Sequence, residues 1–153
     1  MPVWEKDGFF ITTEKEDFDI GVIHQFLNEE SYWAKGISRE HVEKAIRNSS
    51  LCFGVFEGDR GDRTVRQVGN ARVLTDFVRL GWIMDVFIIP EYRGRGLSKW
   101  LMEVITEQSE LKEVRKLMLS TADAHGLYNQ FGFMEIDKPD LYMLRRKKEN
   151  VNV

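Results

Sequence analysis

The stretch that most limits how this chain can fold runs from Val86 to Ser98. Val86-Phe87-Ile88-Ile89 ends a nearly continuous apolar run that begins at Leu80, and Pro90 stops it because proline has no N–H for a sheet ladder. Glu91-Tyr92-Arg93-Gly94-Arg95-Gly96 follows, and then Leu97, Leu101, Val104 and Ile105 recur at helical spacing. A buried strand therefore feeds a glycine-rich turn that opens directly into an amphipathic helix. Such a turn aims several unpaired N–H groups at one point, and the helix N-terminus adds about half a positive charge there. Glycines let a ligand approach the backbone closely, and Arg93 and Arg95 add cationic donors. This chemistry favours a phosphate or pyrophosphate cradle. Two solvated turn cations are the bland alternative, and the flanking strand and helix weigh against it.

The kind of cradle is narrowed by what surrounds it. No Gly-Lys-Ser or Gly-Lys-Thr occurs in the loop, which excludes the NTP-binding P-loop. A dinucleotide fold places its glycines after the first strand of a parallel sheet. Here the loop comes late in the chain. Residues 9–13 read as an opening strand. Asp19 and Ser38 are N-cap candidates for two helices, with Ile20, Ile23, Phe26 and Leu27 on one face of the first and Val42, Ala45 and Ile46 on the second. Residues 51–56 and 67–74 read as a hairpin turning at 58–62, and residues 80–89 as the central strand of the sheet. After the loop helix come a strand at 116–121 and a short helix at 124–131. Asp123 is a candidate cap for that helix, and Gly132 suits the left-handed residue that ends it. Two last strands, 133–136 and 141–144, close the sheet. The order β-α-α-β-β-β-α-β-α-β-β is an α+β class, with a mixed, mostly antiparallel sheet of six or seven strands flanked by about four helices.

Composition adds exclusions. The 153 residues make one domain, 1–153, with 147–153 expected as a solvated tail. A net charge of -3 argues against a chain that coats nucleic acid or an anionic membrane. One cysteine, Cys52, allows no internal disulfide and no cysteine-rich zinc site, and no metal is expected. Cys52 sits in an apolar strand with neither His24 nor His41 placed to activate it, so it reads as core. Glu5, Lys6 and Asp7 interrupt any signal peptide, and no apolar run approaches the roughly 20 residues that span a bilayer. A cytoplasmic monomer or homodimer is the expectation.

With its element order, Arg93-Gly94-Arg95-Gly96-Leu97-Ser98 and the later Tyr128-Asn129-Gln130-Phe131-Gly132-Phe133, the chain resembles the GNAT N-acetyltransferase superfamily. That family's loop signature is Gln/Arg-x-x-Gly-x-Gly/Ala. Arg93 and Gly96 match it, and Ser98 replaces the final Gly or Ala with another small residue. The resemblance covers essentially the whole chain and implies acetyl-CoA as donor, its pyrophosphate on the backbone of Arg93, Gly94, Arg95, Gly96, Leu97 and Ser98. It implies direct acetyl transfer to a primary amine in a ternary complex. A non-catalytic acyl-CoA-binding module of the same fold is the alternative.

The resemblance also implies a bulge in the strand before the loop, with backbone groups of Val86, Phe87 and Ile88 binding the pantetheine arm and polarising the thioester carbonyl. An ordinary central strand fits the same side chains. Tyr128 stands where the family's general acid stands. A phenol near pKa 10 and a thiol near 8.5 are close enough for that proton to be useful, while packing of the short helix is the other reading. Asp85 is a carboxylate in an apolar strand. It holds the incoming ammonium or takes its proton, or else it is salt-bridged to Arg72 or Arg79. Asp123 and His125 are weaker candidates. Tyr32 and Trp33, between the first two helices, are either walls of the acceptor pocket or a staple between helices. The amine-bearing acceptor itself is not identified by the residues.

Overall fold

The computed structural model describes residues 3–147. Six strands form one sheet in chain order, β1-β2-β3-β4-β5-β6. They are β1 (Val3–Lys6), β2 (Phe9–Thr12), β3 (Leu51–Glu57), β4 (Arg66–Thr75), β5 (Leu80–Ile88) and β6 (Lys116–Met118). All neighbours pair antiparallel except β5 and β6, which are parallel. Four helices accompany the sheet: α1 (Ile20–Gln25), α2 (Arg39–Arg47), α3 (Leu97–Glu107) and α4 (His125–Asn129). The α+β class and the mostly antiparallel sheet are as expected.

The helix starts follow their caps. Asp19 Oδ1 accepts the N–H of Val22 at 3.2 Å, and Ser38 Oγ accepts that of His41 at 3.1 Å. Unbroken burial from Cys52 to Phe56 means both faces of β3 are covered, a pattern proper to an inner strand. Cys52 is fully buried there, and burial pushes its thiol up, away from the reactive thiolate.

Three details differ from the sequence reading. First, β1 was not anticipated, although Asp7-Gly8 is a strong two-residue hairpin signal; their φ values of 50° and 84° are those of a type I′ turn. Second, β3 and β4 are the middle of the sheet, and β5 lies one place from its edge. The apolar run of β5 reflects the core on one side and a cavity wall on the other. Third, residues 133–136 and 141–144 form no strand. They have no strand partner among the described residues, and strand pattern alone supplies none. Apart from Lys147, the expected tail at 147–153 lies outside the described residues.

Candidate active site

The site begins with a strand that loses one neighbour. β5 stays paired with β4 as far as Ile88, but it pairs with β6 only at Leu80, Gly81 and Trp82. Beyond Trp82 the two strands part, and a cavity of about 420 Å³ opens where they diverge. Met84, Asp85 and Val86 line one wall, and residues 119–124 line the other. Tyr128 from α4 reaches the same space, as do Tyr32 and Trp33 from the segment before α2. That segment leaves α1 through a widened π-helical turn, Phe26–Glu30, a distortion that often marks functional sites.

The strand is bulged at this point. Asn70 faces Phe87 and Arg72 faces Met84, so Ala71 alone opposes both Asp85 and Val86. Asp85 has φ 53°, in the left-handed region that few residues other than glycine adopt. Its conformation is held from three directions. Asn70 Nδ2 donates to its backbone carbonyl at 3.0 Å, Arg72 Nε donates to Oδ2 at 2.6 Å, and Trp33 Nε1 donates to Oδ1 at 2.8 Å. The Arg72 and Asp85 side chains are only 12% and 9% exposed. Both carboxylate oxygens of Asp85 are therefore engaged and its charge is balanced. An incoming ammonium would have to compete with Arg72 for it.

Tyr32 and Trp33 are pinned across the mouth of the wedge. The Tyr32 hydroxyl accepts the N–H of Ala122 at 2.8 Å, and the two rings meet edge to face at 5.0 Å. Tyr128 is buried, with its ring against Phe133. Burial, with Tyr32 and Asp123 adding to it, pushes its phenol up to about 12. The hydroxyl is therefore fully protonated at neutral pH. The structure places Asp123 on the cavity wall and His125 in the adjoining gap beyond Tyr128. Thr121 Oγ1, rather than Asp123, accepts the N–H of Ala124 at the start of α4.

At the other end of β5, Gly94 and Gly96 have φ values of 79° and 77°, and a Cβ at either would meet open space. Gly96 is the N-cap of α3 and no side chain caps that helix. The first-turn N–H groups of Leu97, Ser98 and Lys99 thus have no intrahelical partners. These features fit a pyrophosphate. The two arginine side chains, expected as donors to the anion, are engaged elsewhere: Arg93 Nε donates back to the Ile88 carbonyl at 3.1 Å, and Arg95 stacks on the Tyr92 ring at 4.9 Å. Arg93 thereby occupies the Ile88 carbonyl, and Phe87 turns into the core to stack on Phe26 at 4.0 Å. Of Val86, Phe87 and Ile88, only Val86 lines the cavity.

Asn70 escaped the sequence reading. An asparagine inside a buried strand is unusual, and its Oδ1 is buried without a partner. Trp82 and Ser120, on the cavity walls, carried no signal that set them apart.

Comparison with known proteins agrees with this architecture. The acetyltransferase (GNAT) domain model matches residues 48–135, more than half of the chain. A solved structure from Xanthomonas campestris pv. campestris, described as a GNAT-family acetyltransferase, is 39% identical with a TM-score of 0.83, covering 94% of this chain and 96% of that one. A protein of Gibberella zeae described as an acetyltransferase is 27% identical over 141 residues, 83% of this chain and 79% of its own. An uncharacterised N-acetyltransferase of Prochlorococcus marinus is 32% identical over 110 residues, which are 72% of this chain and 59% of that protein. The family match takes in the bulged strand and α4, which line the cavity, together with the glycine loop, and the chain belongs to the GNAT family of acetyltransferases.

Proposed function

We propose that the protein moves the acetyl group of acetyl-CoA onto a primary amine of a small molecule or peptide, by direct transfer in a ternary complex. The observation that carries this is the course of β5. One strand joins an anion cradle at Gly94 and Gly96 to a cavity that holds a protonated phenol. In this reading the backbone from Arg93 to Ser98 binds the pyrophosphate. Val86, at the bulge, presents backbone to the thioester, with Phe87 and Ile88 supporting the strand behind it. The amine nitrogen attacks the carbonyl carbon, the carbon–sulfur bond breaks, and Tyr128 supplies a proton to the departing sulfur. Pushed up to about 12, the Tyr128 phenol is protonated at neutral pH but a weaker acid than an ordinary tyrosine, so it gives its proton only as negative charge builds on sulfur.

Tyr32 and Trp33 wall the acceptor side. Asp85 is assigned a positioning role: through Trp33 and the bulge it holds the wall and the strand in register. The amine's surplus proton passes to solvent water. Acetyl-CoA and the amine are the partners in this reading, and the cytoplasm is the compartment. Among the described residues no helix is long and apolar enough to cross a membrane, and no cluster of three metal-ligating side chains occurs.

The test is thiol release from acetyl-CoA across a panel of primary amines, with the acetylated product identified by mass. Amine-dependent release with a stoichiometric amide is expected. Stabilisation by acetyl-CoA with no release for any amine would leave the non-catalytic binding module in its place.

A further inference from the structure

The cavity between β5 and residues 119–124 carries one unbalanced charge. Asp85 and Asp123 are the carboxylates on its walls, and Asp85 is already paired with Arg72. Asp123 is exposed, and its carboxylate makes no ion pair among the described residues. Nor is it spent on capping α4, since Thr121 Oγ1 accepts the N–H groups of both Asp123 and Ala124, at 3.4 and 3.0 Å. Its charge is felt at Tyr128, whose phenol it helps to push up.

The walls around that charge are aromatic. Trp33 and Trp82, both half-buried, line the cavity, and Tyr32 lies across its mouth. Trp33 is fixed in place because its Nε1 donates to Asp85 at 2.8 Å. The Tyr32 hydroxyl accepts the N–H of Ala122, the residue before Asp123, so the rings and the carboxylate keep a set register. Indole faces attract both aromatic rings and cations, and a carboxylate accepts charge-assisted hydrogen bonds from an ammonium.

What the walls lack narrows the occupant further. Among the described residues no arginine, lysine or histidine lines the cavity, and His125 borders the adjoining gap instead. A carboxylate or phosphate on the acceptor would lose its water there and face Asp123 with no counter-charge. A polyamine would bring several positive charges to one spare carboxylate. A sugar needs many hydrogen-bond partners, and most of the wall is apolar or already committed. The volume of about 420 Å³ lies toward the lower end of small-molecule sites, about 300–1,000 Å³.

We propose that the acceptor is a small aromatic monoamine without an acidic group, its ammonium held by Asp123 and its ring against Trp33 and Trp82. The transfer step rests on the acetyl-transfer reading above, whereas the binding step rests on the cavity alone. Asp123 captures the cation, and the nitrogen that attacks is the neutral amine left after its proton has passed to water.

Calorimetric titration of the full chain with 2-phenylethylamine, with and without saturating CoA, tests the binding apart from the chemistry. L-Phenylalanine adds a carboxylate to the same body, and putrescine replaces the ring with a second ammonium. 2-Phenylethylamine should bind about tenfold or more tightly than either, with the same order in kcat/KM for thiol release. Asp123→Asn should weaken it about tenfold while acetyl-CoA affinity and the melting midpoint stay unchanged. No heat from 2-phenylethylamine at about 10 mM in either state would overturn the proposal. Equal or tighter binding of phenylalanine or putrescine, or binding indifferent to Asp123→Asn, would overturn it too and leave acetyl transfer standing. Binding in the expected order with no thiol release from any amine would uphold the site and refute the transfer reading instead.

Discussion

Asp85→Asn separates the structural from the chemical work of the residue at the bulge. Asparagine tolerates the left-handed φ of 53° nearly as well as aspartate, so backbone strain is not introduced. The amide oxygen still accepts from Trp33, and what is lost is the charge facing Arg72 at 2.6 Å. Both side chains are about nine-tenths buried, so water and salt screen the pair little. Removing one member of a buried pair strands the other and costs about 3–5 kcal/mol. The amide NH2 then stands opposite the Arg72 guanidinium, donor against donor, so nothing softens the loss and about 3 kcal/mol is the least expected. For a chain of this length that is a fall in melting midpoint of roughly 6–12 °C. Urea titration should show a lower midpoint with an unchanged slope, because the unfolded surface is the same. Arg72→Met combined with Asp85→Asn removes the stranded charge and should recover more than half of the loss. On the folded fraction, acetyl-CoA binding and kcat should stay within a few-fold of wild type if Asp85 only positions Trp33. A midpoint within 2 °C of wild type together with a collapse in amine-dependent turnover would refute this reasoning and make Asp85 a direct amine ligand.

The other residues give shorter tests. Gly96→Asp puts a side chain and a negative charge into the open space at a φ of 77°; about 1–2 kcal/mol of stability should go, and the rise in midpoint with acetyl-CoA should vanish. A folded variant that still shifts like wild type would remove the loop from donor binding. Tyr128→Phe should lower turnover about tenfold or more with donor affinity little changed, measured where chemistry limits the rate. The same phenol makes stability pH-dependent in a narrow window. Its folded pKa of about 12 lies above the ordinary 10, so the contribution is intact below pH 10 and is lost as pH rises from there toward 12. Tyr128→Phe should flatten that alkaline limb in denaturant titrations. Asn70→Ala frees the Asp85 carbonyl and should cost about 1–3 kcal/mol. It should reduce kcat more than acetyl-CoA affinity, and equal losses in both would mean that the bulge does not shape the reacting end.

Local chemistry made much of this protein legible before any coordinates. Asp19 and Ser38 cap their helices because a short polar side chain beside an apolar helical repeat has an orphan N–H within reach. The Gly94-Arg95-Gly96 turn could be placed at a helix start because only glycine enters its backbone region cheaply, and the neighbouring residues declare strand and helix by their periods. Cys52 could be assigned to the core on the same footing. These are properties of residues a few places apart, and a chain displays them directly. What tertiary structure decided involves groups far apart in sequence. Trp33, Arg72 and Asp85 meet only because a loop and two strands converge, and that decides between the amine-facing carboxylate and the ion pair with Arg72, both of which the sequence allowed. Whether β5 keeps or loses its β6 neighbour beyond Trp82 depends on where a parallel partner stops, which no pattern within β5 encodes. The closing strands show the same limit from the other side: residues 141–144 carry the pattern of a strand, but a strand exists only when another backbone lies beside it.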